Sequence, residues 1–99
     1  MPSFRLTAKA RADLISIGRY TKDVWGREQR NKYLAELDEC FHTLAAKPNM
    51  GRTCDDISKG YRKYHIGRHL IFYRQSDKDI EIIRILHDRM DIEIHVPES

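Results

Sequence analysis

From Ala8 to Trp25, apolar or small residues recur at Ala10, Leu14, Ile17, Thr21 and Val24, a spacing that lays one stripe along a helix. Thr7 offers a side-chain oxygen for the helix N-cap, and Gly26 fits its stop. A second stripe follows directly through Tyr33, Leu37, Cys40 or Phe41, and Leu44, and it must end near Lys47 because Pro48 cannot continue a helix. Helices joined this tightly predict an antiparallel hairpin over residues 8–46. Ahead of it, Phe4 and Leu6 alternate with polar neighbours and suit a short strand over 3–7.

After Lys47 the periodicity changes. Residues 47–59 mix Pro48, Gly51 and the Asp55-Asp56 pair without a regular repeat, which predicts a surface connection. Tyr61–His65, Arg68–Gln75 and Ile80–His87 are rich in aromatic and β-branched residues, and Gly67 and Ser76-Asp77-Lys78-Asp79 mark turns, so a sheet is expected over 60–87. A four-residue second turn pairs Gln75 with Ile80 and sets Arg74 opposite Glu81, Phe72 opposite Ile83, Leu70 opposite Ile85 and Arg68 beside His87. The last of these strands is apolar on parts of both faces and belongs inside the sheet. The tail over 88–99 is acidic and alternates Met90, Ile92, Ile94 and Val96 with Asp91, Glu93 and His95. The fold class is α+β: an N-terminal strand, a helical hairpin, then a small antiparallel sheet of three or more further strands.

A chain of 99 residues with 40% hydrophobic and 33% charged residues, 5 Gly and 3 Pro suits one domain over 1–99 and excludes disorder and collagen. No apolar run nears the roughly 18–20 residues of a membrane span, and Met1-Pro2-Ser3-Phe4-Arg5 lacks a secretory signal. A cytoplasmic protein without a membrane partner is expected, with Cys40 and Cys54 as free thiols. Cys40 and His42, two apart on a helix, point to different faces, so zinc is not expected and no cofactor is implied.

The net charge of +3 conceals a segregation. Residues 1–33 and 59–78 each carry +5, whereas 34–58 carry −3 and 79–99 carry −4. A field of this kind steers acidic partners or nucleic acid, unless the opposite charges simply face each other across the fold. Lys22, Arg27, Arg30 and Lys32 make a basic corner at the helical turn, more often solvated than a site. Trp25 either packs where the hairpin turns or stands exposed as a partner anchor.

The register gathers Arg68, His87 and Arg89 at one end of the sheet. Cleavage of RNA by its own 2′-hydroxyl needs a base, an acid and cations for the phosphorane charge, roles open to His87 with Arg68, Arg89 or Lys63. The plainer reading is a strand-ending histidine beside solvated arginines. Tyr61, Tyr64, Phe72 and Tyr73, interleaved with Arg62, Lys63, Arg68 and Arg74, offer a stacking surface for single strands or, more ordinarily, core. Neither a nucleotide-binding glycine loop nor a Ser-His-Asp order is present.

Leu6-Thr7, Ala12-Asp13-Leu14 with Ile17, Trp25-Gly26, Pro48-Asn49-Met50-Gly51-Arg52, Gly60-Tyr61-Arg62-Lys63, His69-Leu70-Ile71-Phe72-Tyr73 and, most specific, Ile85-Leu86-His87-Asp88-Arg89-Met90-Asp91 resemble the ParE branch of the RelE/ParE toxin superfamily. The resemblance covers most of the chain. It implies a toxin of a bacterial type II toxin–antitoxin module that binds DNA gyrase, stabilises its cleaved-DNA complex and blocks replication without catalysis of its own. A ParD-like antitoxin then neutralises it in a hetero-oligomer, and no sequence-specific nucleic-acid binding is expected. His87, Arg89, Met90 and Asp91 are the expected target-binding residues. The antitoxin is expected in a groove between hairpin and sheet, meeting Ile15, Tyr20, Arg62 and Arg74, although Ile15 lies beside the core stripe and suits burial equally well. The alternative is a ribosome-dependent mRNA endonuclease of RelE type using Arg68, His87 and Arg89. Against it stand the acidic tail and the missing tyrosine-bearing C-terminal helix of RelE-like enzymes. A degenerate toxin that keeps only antitoxin binding is a third possibility.

Overall fold

The computed structural model describes residues 3–89. The tail alternation from Met90 onward, and with it the target-binding expectation for Met90 and Asp91, lies outside the described residues. The chain runs through β1 (Phe4–Leu6), α1 (Ala8–Trp25), α2 (Arg27–Ala46), a 3-10 turn (Pro48–Met50), β2 (Arg52–Thr53), β3 (Tyr61–Ile66), β4 (His69–Ser76) and β5 (Asp79–His87).

Local chemistry sets the helix limits. Thr7 Oγ1 accepts the Ala10 N–H at 3.0 Å, which caps α1. Gly26, at φ 93°, closes α1 through its N–H to Lys22 O (2.9 Å) and opens α2 through its carbonyl to the Arg30 N–H (3.1 Å). One left-handed glycine therefore turns the hairpin, a conformation a side chain would strain. The expected stripes are buried at Ala10, Ile17 and Thr21 and at Leu37, Cys40, Phe41 and Leu44, with Leu14 and Tyr33 half-buried. Val24 departs from expectation and is 51% exposed, because α1 runs one turn past the core.

The five strands lie in the order β1-β5-β4-β3-β2, so β5 is interior as its two-sided apolar pattern predicts. β1 pairs parallel with β5 (Phe4–Ile80 to Leu6–Ile82), a geometry that requires a long crossover between them. All other pairs are antiparallel. The loop expected over 47–59 also contributes β2, which pairs Arg52 with Lys63 and Thr53 with Arg62.

The β4–β5 register needs one correction. The pairing runs as expected through Gln75–Ile80 and Arg74–Glu81, and Tyr73 then faces Ile82. Beyond that β5 carries one extra residue, and Phe72 faces Arg84, Ile71 faces Ile85, Leu70 faces Leu86 and His69 faces His87. Two side chains hold this bulge. The Thr7 hydroxyl donates to Ile83 O at 2.8 Å, and the Asp13 carboxylate accepts the Ile85 N–H at 2.9 Å. Ser76 and Asp79 also pair, so the turn shortens to Asp77-Lys78 with Asp77 at φ 48°.

Apolar packing covers both faces of the sheet. Between helices and sheet lie Ile17, Leu37, Phe41, Leu44, Ile71, Tyr73, Ile82 and Ile85, and on the opposite face Cys54, Tyr61, Phe72, Ile83 and Leu86. Tyr61, Phe72 and Tyr73 are thus core, which overturns the stacking-surface reading. Cys40 and Cys54 are free, buried thiols in opposite clusters, and burial pushes Cys40 up to about 11.

Candidate functional site

A groove of about 630 Å³ opens along the helical hairpin and β1. Gly18 shapes it by letting the helices approach closely: a Cβ there would sit 3.3 Å from Leu34 Cδ1. Phe4, Leu6, Leu14, Leu34 and Phe41 form its apolar part, and the Phe4 and Phe41 rings meet at 5.3 Å. Towards the hairpin turn the lining becomes cationic through Arg19, Lys22 and Arg30, with Asp38 the one acidic lining residue. The Arg30 guanidinium is steadied by Asn31 Oδ1 at 3.0–3.1 Å.

Ile15 lines this groove and is 58% exposed, which settles its placement in favour of surface. The other expected antitoxin contacts lie elsewhere. Tyr20 is 66% exposed but shares the Asp13–Ile17–Val24 side of α1, away from the groove. Arg62 donates to Gly51 O at 2.7 Å, and Arg74 pairs with Glu81 at 3.1 Å, both on the sheet. Sequence reasoning missed Arg19 and the half-exposed Phe4 and Leu14 as groove residues. The signal for Arg19 was present in the Ile15-Gly18-Arg19-Lys22 spacing next to the core stripe.

A second constellation sits where β4 and β5 meet the end of β3. The bulge brings His69 beside His87, with ring centroids 5.6 Å apart in an edge arrangement. His69 Nδ1 lies 2.6 Å from the Tyr33 hydroxyl of α2. Burial, and then the neighbouring His87, holds His69 below the usual histidine range, while burial raises the Tyr33 hydroxyl. His87 Nδ1 accepts the Arg89 N–H at 3.2 Å and lies 3.4 Å from one Asp88 oxygen. The other Asp88 oxygen is 3.2 Å from His65 Nε2, and the Asp88 N–H donates to Arg68 O at 2.9 Å. Arg68, His87 and Arg89 therefore do share one end of the sheet. In the neutral imidazole, however, Nδ1 of His87 is occupied as an acceptor from the Arg89 N–H. Lys63, in the middle of β3 opposite Phe72, is apart from them. Among the described residues no group of three or more His, Cys, Asp or Glu is arranged to hold a metal ion.

Arg84 separates these two regions. Its guanidinium grips Asp13 through Nε and a terminal nitrogen at 2.8 and 2.9 Å, with both side chains 15% exposed, and this pairing raises Arg84 further above its ordinary value. The pair ties α1 to β5 at the bulge that aligns the histidines.

Residues 4–92 match the family described as ParE toxin of type II toxin-antitoxin system, parDE. The chain is 42% identical over 91 residues to toxin ParE1 of Mycobacterium tuberculosis, covering 91% of this chain and 93% of that protein. It is 38% identical over 96 residues to toxin ParE1 of Caulobacter vibrioides, covering 97% and 99%. A solved structure described as a chromosomal ParDE TA system from P. aeruginosa superposes with a TM-score of 0.74 at 27% identity, over 88% of this chain and 96% of that one. The chain belongs to the ParE toxin family, in the RelE/ParE superfamily.

Proposed function

We propose that this ParE toxin inhibits DNA gyrase by binding and stabilising its cleaved-DNA complex, so that replication stops, and that a ParD-like antitoxin holds it inactive. The observation that carries the reading is the family match over 4–92, most of the 99-residue chain. The protein acts as an inhibitor without catalysis of its own. Its target contacts include His87 and Arg89 at the sheet end together with Met90 and Asp91, which lie outside the described residues. The antitoxin supplies a segment whose apolar side chains cover Phe4, Leu14 and Ile15 and whose acidic side chains meet Arg19, Lys22 and Arg30. Tyr20, Arg62 and Arg74 remain contacts for a segment that wraps beyond the groove.

One observation favours a second reading. The Asp88 N–H bond to Arg68 O holds Arg68, His87 and Arg89 in one neighbourhood, as a RelE-type mRNA endonuclease would need. The test is a gyrase supercoiling and DNA-cleavage assay with the purified toxin, with and without antitoxin, beside a ribosome-dependent mRNA cleavage assay. Trapped cleaved DNA, relieved by antitoxin and weakened by Arg89→Ala, is the expected result. Cleaved mRNA without gyrase inhibition would replace the reading by the endonuclease, and silence in both would leave an antitoxin-binding protein without either activity.

A further inference from the structure

The hairpin turn carries a surface that extends the groove's cationic end beyond its lining residues. Trp25, the single tryptophan of the chain, is 66% exposed at the end of α1 and is not among the groove-lining residues. Every residue from Lys22 to Gln29 is exposed. Helical spacing puts Trp25 on the same side of α1 as Gly18 and Lys22, and puts Arg27 on the same side of α2 as Leu34. Arg19, Lys22 and Arg30 line the groove beside Gly18 and Leu34, and helical spacing sets Trp25 and Arg27 on the same sides of their helices, next to the turn where α1 and α2 meet. Of the two acidic residues of this stretch, Glu28 is turned about 100° or more from Arg27 and Arg30, and Asp23 about 100° or more from Lys22 and Trp25 but only about 40° from Arg19, at 100° per residue. An exposed indole at the hairpin turn with cations on the adjoining helix sides matches neither a core contact nor a folded acidic protein that needs area to bind. It matches a flexible polyanion whose flat groups stack.

We propose that the tip of the helical hairpin binds single-stranded nucleic acid without sequence preference, a base stacking on Trp25 while Arg19, Lys22, Arg27 and Arg30 neutralise the flanking phosphates. This inference stands apart from the gyrase reading, since it requires only the toxin and an oligonucleotide. Because Arg19, Lys22 and Arg30 also line the groove, a bound antitoxin closes this surface.

The single indole makes the experiment direct. Purified full-length toxin is titrated with an oligothymidylate of about twelve nucleotides, and tryptophan emission is read. The expected result is saturable quenching whose affinity falls about 50-fold between ~50 and ~200 mM salt, a log–log slope near −3 for four neutralised phosphates on a single strand. Anisotropy of a labelled oligonucleotide then reads the variants, with circular dichroism confirming the fold. Trp25→Leu is expected to weaken binding roughly tenfold with the slope unchanged, the loss of one stacked base. The pair Arg27→Gln, Arg30→Gln is expected to cut the slope by about 1.4. No quenching at low salt overturns the proposal, as does Trp25→Leu binding like the wild type. Equal quenching by a duplex of the same length, or by a short oligoglutamate peptide, also overturns it, the first leaving charge alone and the second assigning the tip to an acidic protein.

Discussion

Replacing Asp13 by alanine tests the tie between the helical hairpin and the bulged strand. Among the described residues the carboxylate accepts hydrogen bonds from Arg84 Nε at 2.8 Å, from a terminal Arg84 nitrogen at 2.9 Å and from the Ile85 N–H at 2.9 Å. Alanine removes the two-pronged acceptor from a guanidinium whose side chain is only 15% exposed and leaves the Ile85 N–H without this acceptor. Breaking a buried pair from one side costs about 3–5 kcal/mol, and residual solvent access puts this case near the lower bound, about 3 kcal/mol. A domain of this size holds on the order of 5–10 kcal/mol in all. With a urea m-value near ~1–1.5 kcal/mol/M, the midpoint should fall by roughly 2–3 M. Asp13→Asn keeps one acceptor oxygen and should lose about half as much. Arg84→Met in the Asp13→Ala background should recover much of the loss, a coupling of at least about 1.5 kcal/mol in the double-mutant cycle. A loss below about 1 kcal/mol for Asp13→Ala, or strict additivity with Arg84→Met, would refute the reasoning.

Four further outcomes follow from other contacts of the fold. Gly51→Ala places a Cβ 2.9 Å from Lys63 O and against the Tyr73 hydroxyl, so it should cost about 1–3 kcal/mol by overpacking. Tyr73→Phe strips the partner from Pro48 O and the Gly51 N–H, costing a similar ~1–3 kcal/mol; the double variant should lose less than the sum, and additive melting temperatures would exclude the shared contact. Because burial holds His69 below the ordinary histidine range, the unfolded chain binds the extra proton first, and stability should fall as pH drops from about 6.5 towards the folded value. His69→Gln should flatten that part of the stability–pH curve, and an unchanged slope would remove His69 as its cause. Ile15→Lys, at an exposed groove position, should weaken antitoxin binding at least about tenfold by calorimetry without changing thermal stability; equal affinity would move the antitoxin off the groove.

The parts of this molecule that periodicity could reveal are those where one side chain's environment depends on its own element. The α1 and α2 stripes, the Gly26 turn and the interior place of β5 all follow from spacing, because a helix or strand that must bury one face repeats at its own period. The bulge did not follow, because its cause lies some seventy residues away, in Thr7 and Asp13 reaching across to Ile83 and Ile85. That single extra residue decides which groups meet at the candidate target end. In an unbulged register Arg68 would stand beside His87; in the bulged one His69 does, and Tyr33 of α2 is drawn into the cluster. The groove shows the same division. Ile15 reads equally as core or surface while its helix is considered alone, and only the fit of Leu34 against Gly18 decides that it lines an opening. The bidentate Arg84–Asp13 pair, with the Asp13–Ile85 N–H bond, makes the geometry of the histidine end depend on the placement of α1. On the proposed gyrase reading, Asp13→Ala should therefore change inhibition per folded molecule as well as stability. Asp13→Ala keeps roughly 2–7 kcal/mol of stability and so stays mostly folded; if it then matches the wild type in the gyrase supercoiling and DNA-cleavage assay, the two regions act independently.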